Sequence, residues 1–207
     1  MLFKAAIALG AGIASALLFF IPVKGTTAAM LLAFFGPLPI MIAGLGFGTI
    51  TSIAATLSGA AALAVALTPA FALFFILTLG LPAALLARLA SARREVTLDT
   101  SEENISVPAY SKGQMLGWIA TLSALVALVP LTVMAMRGMD VDETARQLAP
   151  AIRAFFRGES NIPYAMSARE FARMAVLAFP AMFAASSTLM LSFNLWLAAK
   201  VARTSGV

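Results

Sequence analysis

Between Lys24 and Arg88 the chain runs for 63 residues without an Asp, Glu, Lys or Arg. A charge at the centre of a bilayer costs about 3 kcal/mol or more. Charge-free stretches of this length belong where lipid is the solvent. One membrane-spanning helix needs about 20 apolar residues, so this run holds about three. The whole chain is 61% hydrophobic and 11% charged, against about 25% charged in an average soluble domain. The expected fold is all-α: a polytopic transmembrane helical bundle in a single integral membrane domain.

The same composition removes much chemistry. There is no Cys and no His, so disulfides, thiol nucleophiles, Cys/His zinc sites and histidine general bases are excluded. All nine acidic residues lie outside the apolar runs, which leaves no acid for an intramembrane protease or proton relay. Lys4, Lys24, Lys112 and Lys200 sit at the predicted interfaces, so a Ser/Lys dyad inside the bilayer is not expected. No enzyme activity, catalytic residue, cofactor or metal is expected. The net charge of +5 comes from 14 Lys and Arg flanking apolar segments, where topology places them, and no nucleic-acid partner is implied. The expected partners are the lipid bilayer and either another membrane protein or a small solute.

Six spans are predicted, at about 5–23, 26–43, 47–67, 69–88, 114–136 and 174–199. Span one carries Ala14-Ser15-Ala16, which mimics a signal-peptidase site. Its apolar run continues through Leu17 to Ile21, so it reads as a retained span, closed by Pro22 and Lys24. Gly44, Gly46 and Gly48 predict a turn between spans two and three. Thr68-Pro69 starts span four, with Thr as cap and Pro at the first helical position. Residues 95–112 read as a polar loop. Ser111 with Gln114, and Ser167 with Glu170, have capping-box spacing and open spans five and six, in which Pro130 and Pro180 predict kinks. Between those spans, Val141, Ala145, Leu148, Ile152 and Phe155 recur on one helical face. Arg146, Arg153 and Arg157 fall away from it, and Asp140 can cap the start. This predicts an amphipathic helix at about 141–157, interrupted by Pro150 and either lying in the interface or packed as a cap on the bundle.

Six spans put both termini on one side. The basic residues divide seven and seven between the sides. The Arg88, Arg93 and Arg94 cluster and the Lys200/Arg203 pair assign the termini to the cytoplasm.

Three features are candidates for function. Span one carries two small-residue stripes, Ala6-Gly10-Ala14 and Ala8-Gly12-Ala16, and span three carries Gly48, Ser52, Ala55 and Gly59. These suit bundle packing or docking of a partner helix. Gly36-Pro37-Leu38-Pro39 breaks span two. Such a break is either a kink before a tight turn or irregular backbone lining a pocket; the second alternative makes Gly36, Pro37, Pro39 and Gly44 candidate substrate-binding residues. Asn194, the only side-chain amide deep in a predicted span, is expected to face inward and bond another helix, or to touch a ligand there. Trp118 and Trp196 read as interface anchors.

The segment from Gly36-Pro37-Leu38-Pro39 to Gly44-Leu45-Gly46-Phe47-Gly48 resembles a known family. So do Pro108-Ala109-Tyr110 with Gly113 and Trp118, and Asn194-Leu195-Trp196-Leu197-Ala198 before Lys200, Arg203 and Gly206. Together these resemble the YybS-like family of uncharacterised bacterial inner-membrane proteins, in its alphaproteobacterial form. That family is distantly similar to the substrate-binding membrane subunits of energy-coupling-factor vitamin transporters. The resemblance implies a multi-pass protein of the bacterial inner (plasma) membrane. Members of that family usually continue past the Asn-Leu-Trp helix into a loop and further spans, whereas this sequence stops at Val207, eleven residues past Trp196. The expected function is a small-solute binding or transport-associated membrane subunit. The alternative is a non-catalytic scaffold or assembly factor acting through helix–helix contacts.

Overall fold

The computed structural model describes residues 2–21, 26–97, 104–138, 140–156 and 167–206. Six apolar helical segments are long enough to cross a bilayer: Leu2–Phe20, Ala28–Phe47, Thr49–Ala66, Pro69–Ser91, Lys112–Met136 and Ala168–Thr204. The fold is the all-α polytopic bundle that the apolar runs predict. Its elements are α1 (Leu2–Phe20), α2 (Thr27–Ala33), α3 (Leu38–Phe47), α4 (Thr49–Ala66), α5 (Pro69–Phe75) and α6 (Leu81–Ser91). Then follow strands β1 (Arg93–Thr97) and β2 (Asn104–Pro108), and helices α7 (Lys112–Met136), α8 (Val141–Phe156) and α9 (Ala168–Thr204). Pro22 and Lys24, the expected end of span one, and Arg157 lie outside the described residues.

The predicted helix starts are present. The Thr68 hydroxyl accepts from Phe71 N–H at 3.4 Å, with Pro69 beside it. Ser111 and Gln114 close a reciprocal box at 3.2 and 2.8 Å, and Ser167 and Glu170 do the same at 3.2 and 2.8 Å.

The expected single domain divides into two compact units, Met1–Leu122 with Ser187–Val207, and Ser123–Ser186. In the first, α1 and α4 share the most extensive contact among the described elements. Ala8, Gly12, Ser15 and Ala16 of α1 are buried, so of the two stripes it is Ala8-Gly12-Ala16 that packs inside. Ala6 and Gly10 are exposed, and a side chain at Gly10 would meet nothing within 4 Å. A methyl on Gly59 would come within 2.6 Å of the Gly12 carbonyl. The Ser58 hydroxyl, next to Gly59, donates to the Ala8 carbonyl at 3.0 Å. Only hydrogen at these glycines lets the two backbones come this close, as in other small-residue membrane contacts.

Several expectations need correction. The turn predicted over 44–48 is confined to Gly48, whose φ of 99° suits glycine, and α3 continues through Phe47. Gly44 is used instead for packing, since a methyl there would lie 2.6 Å from the Ala87 side chain. Span four is not one regular helix: Ile76–Gly80 form a π turn, and the Leu81 N–H bonds the Ile76 carbonyl. Pro82 explains it, because its ring needs room against the preceding turn and it lacks an N–H. The Thr56 hydroxyl of α4 meets the Gly80 carbonyl at 3.3 Å in this turn. The loop expected over 95–112 contains an antiparallel hairpin instead, with Arg93 opposite Pro108 and Thr97 opposite Asn104. Val96, Thr97, Ile105 and Val107 are β-branched, which favours the extended chain.

In the second unit, α8 is capped by Asp140, whose carboxylate accepts from Glu143 N–H at 2.6 Å. Pro150 does not interrupt α8, which continues to Phe156. Ala145 and Ala149 are buried with Ala172 of α9, and Ile152 packs against them. Arg173 pairs with Asp142 at 3.3 Å. Leu148, expected on the inner stripe, is 41% exposed. The amphipathic helix therefore packs on α9 through a narrow alanine face. Pro130 and Pro180 sit inside the continuous helices α7 and α9. At 37 residues α9 is about 55 Å long, well beyond a hydrocarbon core of about 30 Å.

Candidate functional site

The break in span two is a matter of missing donors. Pro37 and Pro39 have no N–H. The Ala33 carbonyl, denied its partner at Pro37, accepts from Gly36 N–H at 2.9 Å. The Phe35 carbonyl, denied Pro39, takes the Leu38 N–H at 3.0 Å. That leaves the Phe34 carbonyl without a helical donor, because Leu38 is the residue that would have served it. In a membrane such a group must be met by a neighbouring helix or line a cavity.

Asn194 meets it. Its Nδ2 donates to the Phe34 carbonyl at 2.7 Å, across 160 residues of sequence, and to the Met190 carbonyl of its own helix at 2.7 Å. Both amide hydrogens are used. Asn194 is fully buried, as its isolation in an apolar span predicts. Its Oδ1 is buried with no hydrogen-bond partner among the described residues, as are the hydroxyls of Ser15 and Ser123. Phe193 packs beside this bond, its ring 6.1 Å from that of Phe34 and 6.0 Å from that of Phe35.

The remaining candidates lie in packed seams. A methyl on Gly36 would come 2.7 Å from Leu79, and one on Gly44 would come 3.0 Å from Ser52. Pro37 is among the fully buried side chains, and Ile40 and Met41, one turn on, have no exposed surface. The grooves lined by Ala8 and Phe47, by Tyr110 and Lys112, by Pro130 and Leu148, and by Thr56 and Leu85 do not include Gly36, Pro37, Pro39, Gly44 or Asn194 among their described lining residues. The fold thus joins Asn194 to the broken span by a hydrogen bond, and sets Gly36 and Gly44 against the helices of span four and α4. Sequence reasoning missed the Phe34 carbonyl as the bonding partner, although counting the donors removed by Pro37 and Pro39 could have found it. It also missed Thr56 on the π turn, for which the only local signal was Gly80-Leu81-Pro82.

The helices and this buried polar closure define a polytopic helical membrane protein. Its sequence belongs to the family described as predicted membrane protein (DUF2232), whose model matches residues 13–207. No curated protein and no solved structure matches the chain.

Proposed function

We propose that this protein is a non-catalytic membrane subunit, a scaffold or assembly factor that acts through its helix faces. It sits in the bacterial inner membrane with both termini in the cytoplasm. The observation that supports this reading is that the break in span two is filled by protein. Asn194 takes the freed Phe34 carbonyl at 2.7 Å, and Leu79, Ala87 and Ser52 stand where a guest beside Gly36 and Gly44 would have to go. The exposed Ala6-Gly10 edge of α1 is then the surface offered to a partner helix.

One observation favours the other reading, a small-solute binding subunit akin to the YybS-like and energy-coupling-factor proteins. The buried Asn194 Oδ1 lacks a donor, and a solute N–H or O–H would supply one.

Photo-crosslinking residues placed at Ala6 and Gly10, with exposed Leu73 as control, separate the two. The scaffold reading expects one recurrent protein adduct from both α1 positions and none from Leu73. The absence of adducts, together with a small solute that raises the Tm of the wild type but not of Asn194→Leu, would overturn it. For orientation, a reporter fused after Arg94 is expected to read as cytoplasmic and one at Ser160, which lies outside the described residues, as external. Reversed signals would contradict the orientation, and matching signals the span count.

A further inference from the structure

A second site lies at the end of the first unit that carries the chain termini. There the last turn of α6, the residues after β2, the first turns of α7 and the C-terminal part of α9 enclose a groove of about 480 Å³. Its chemistry changes along its length. Tyr110 and Lys112 stand at the outer end of α7, while Leu116 and Ile119 follow one and two turns further in, the latter about 10 Å deeper. Trp196 forms part of the α9 wall. A second ammonium, Lys200, lies over the Trp196 ring at 5.3 Å, and Arg93 stands across the hairpin from the lining residue Pro108. No carboxylate is among the described lining residues, and Lys112 has no ion-pair partner among the described residues.

We propose that this groove is a binding site for an anionic phospholipid of the surrounding bilayer, with the lipid phosphate at Lys112 and an acyl chain along Leu116 and Ile119. A cationic end joined to an apolar floor matches an amphiphile with a charged head. A soluble polar solute would leave the floor unused, and a zwitterionic lipid would gain less from Lys112, the one cation that lines the groove among the described residues. Basic pockets between membrane helices select anionic headgroups for this reason. The aromatic Tyr110 and Trp196 belong at headgroup level. Leu116 is 57% exposed, so the acyl chain can leave the groove sideways into the membrane.

Trp196 reports on the site. In a Trp118→Phe protein it is the sole tryptophan, and the protein can be reconstituted in phosphatidylcholine vesicles containing brominated phosphatidylglycerol or brominated phosphatidylcholine. At equal mole fraction the anionic quencher is expected to occupy the site about fivefold better, the ratio one basic side chain supplies near an anionic surface. Lys112→Gln should erase that preference and Lys112→Arg should keep it, both with the Tm of the parent. Equal quenching by the two lipids would overturn the proposal. So would a preference that survives Lys112→Gln, or one abolished by excess inorganic phosphate, which would mark a free-anion site. Should Lys112→Gln fail to fold, Leu116→Asp in the floor is expected to weaken quenching by both lipids, and unchanged quenching would equally overturn the proposal.

Discussion

Gly12→Ala is expected to lower the unfolding free energy by about 3 kcal/mol, at or above the upper end of overpacking costs. Gly10→Ala, two positions away, should leave it unchanged or raise it by up to about 1 kcal/mol through helix propensity. The two substitutions add the same methyl to the same helix. At Gly12 that methyl would run into the Ala55 carbonyl and the Ser58 hydroxyl, and would sit 2.8 Å from the Gly59 amide nitrogen. Backbone cannot swing aside as a side chain can, so α1 and α4 must separate, and the Ser58–Ala8 bond of 3.0 Å would be lost with the contact. At Gly10 the methyl meets nothing within 4 Å. Thermal unfolding in detergent micelles separates the pair; similar Tm values would mean that α1 does not cross α4 at Gly12.

The second large effect is electrostatic. Asn194→Asp puts a carboxylate where Asn194 Nδ2 now faces two carbonyl oxygens at 2.7 Å each. Ionised and fully buried, it would have no donor in reach among the described residues. It must therefore bind a proton or disrupt the packing, and a loss of about 3 kcal/mol is the scale for a charge at membrane depth. Asn194→Leu is expected to cost far less. Measured interhelical bonds in membranes average about 0.6 kcal/mol, and leucine also removes the unpartnered Oδ1. The asymmetry is the prediction: the destabilisation of Asn194→Asp should diminish as pH falls and the carboxyl is neutralised, while that of Asn194→Leu should not depend on pH. Equal losses for the two would contradict the buried environment of this side chain, which offers acceptors and no donor.

How much of this was legible in the sequence differs by feature. The 63-residue charge-free run determined the class, because lipid tolerates no alternative. Thr68-Pro69, Ser111/Gln114 and Ser167/Glu170 marked helix starts correctly, since caps are local chemistry. The same holds for the inward placement of Asn194, a polar amide with apolar neighbours. What failed depended on packing between segments. Whether Gly44 would turn the chain or admit Ala87 cannot be read from Gly44 itself, because both uses need a residue without a side chain. The π turn at Ile76–Gly80 belongs to the meeting of Pro82, Gly80 and Thr56, and Thr56 lies on a different helix. Among the two stripes of α1, composition is nearly identical, and only the position of α4 decides that Gly12 is inside and Gly10 outside. The hairpin at 93–108 was hidden by its polar residues, although its β-branched positions were visible.

The account turns on one bond, between Asn194 and the Phe34 carbonyl, which has no helical donor because Leu38 bonds Phe35 and because Pro37 lacks the N–H that the local i→i−3 pattern would bring to it. A double-mutant cycle of Asn194→Leu with Pro37→Ala tests it most directly. Alanine at position 37 restores an N–H that the upstream carbonyls can use, so Asn194 should matter less in that background. The predicted result is a coupling energy of about 0.6 kcal/mol or more, the size of an interhelical hydrogen bond in a membrane. Additive losses, with Asn194→Leu costing the same whether residue 37 is proline or alanine, would contradict the claim that Asn194 closes the broken span.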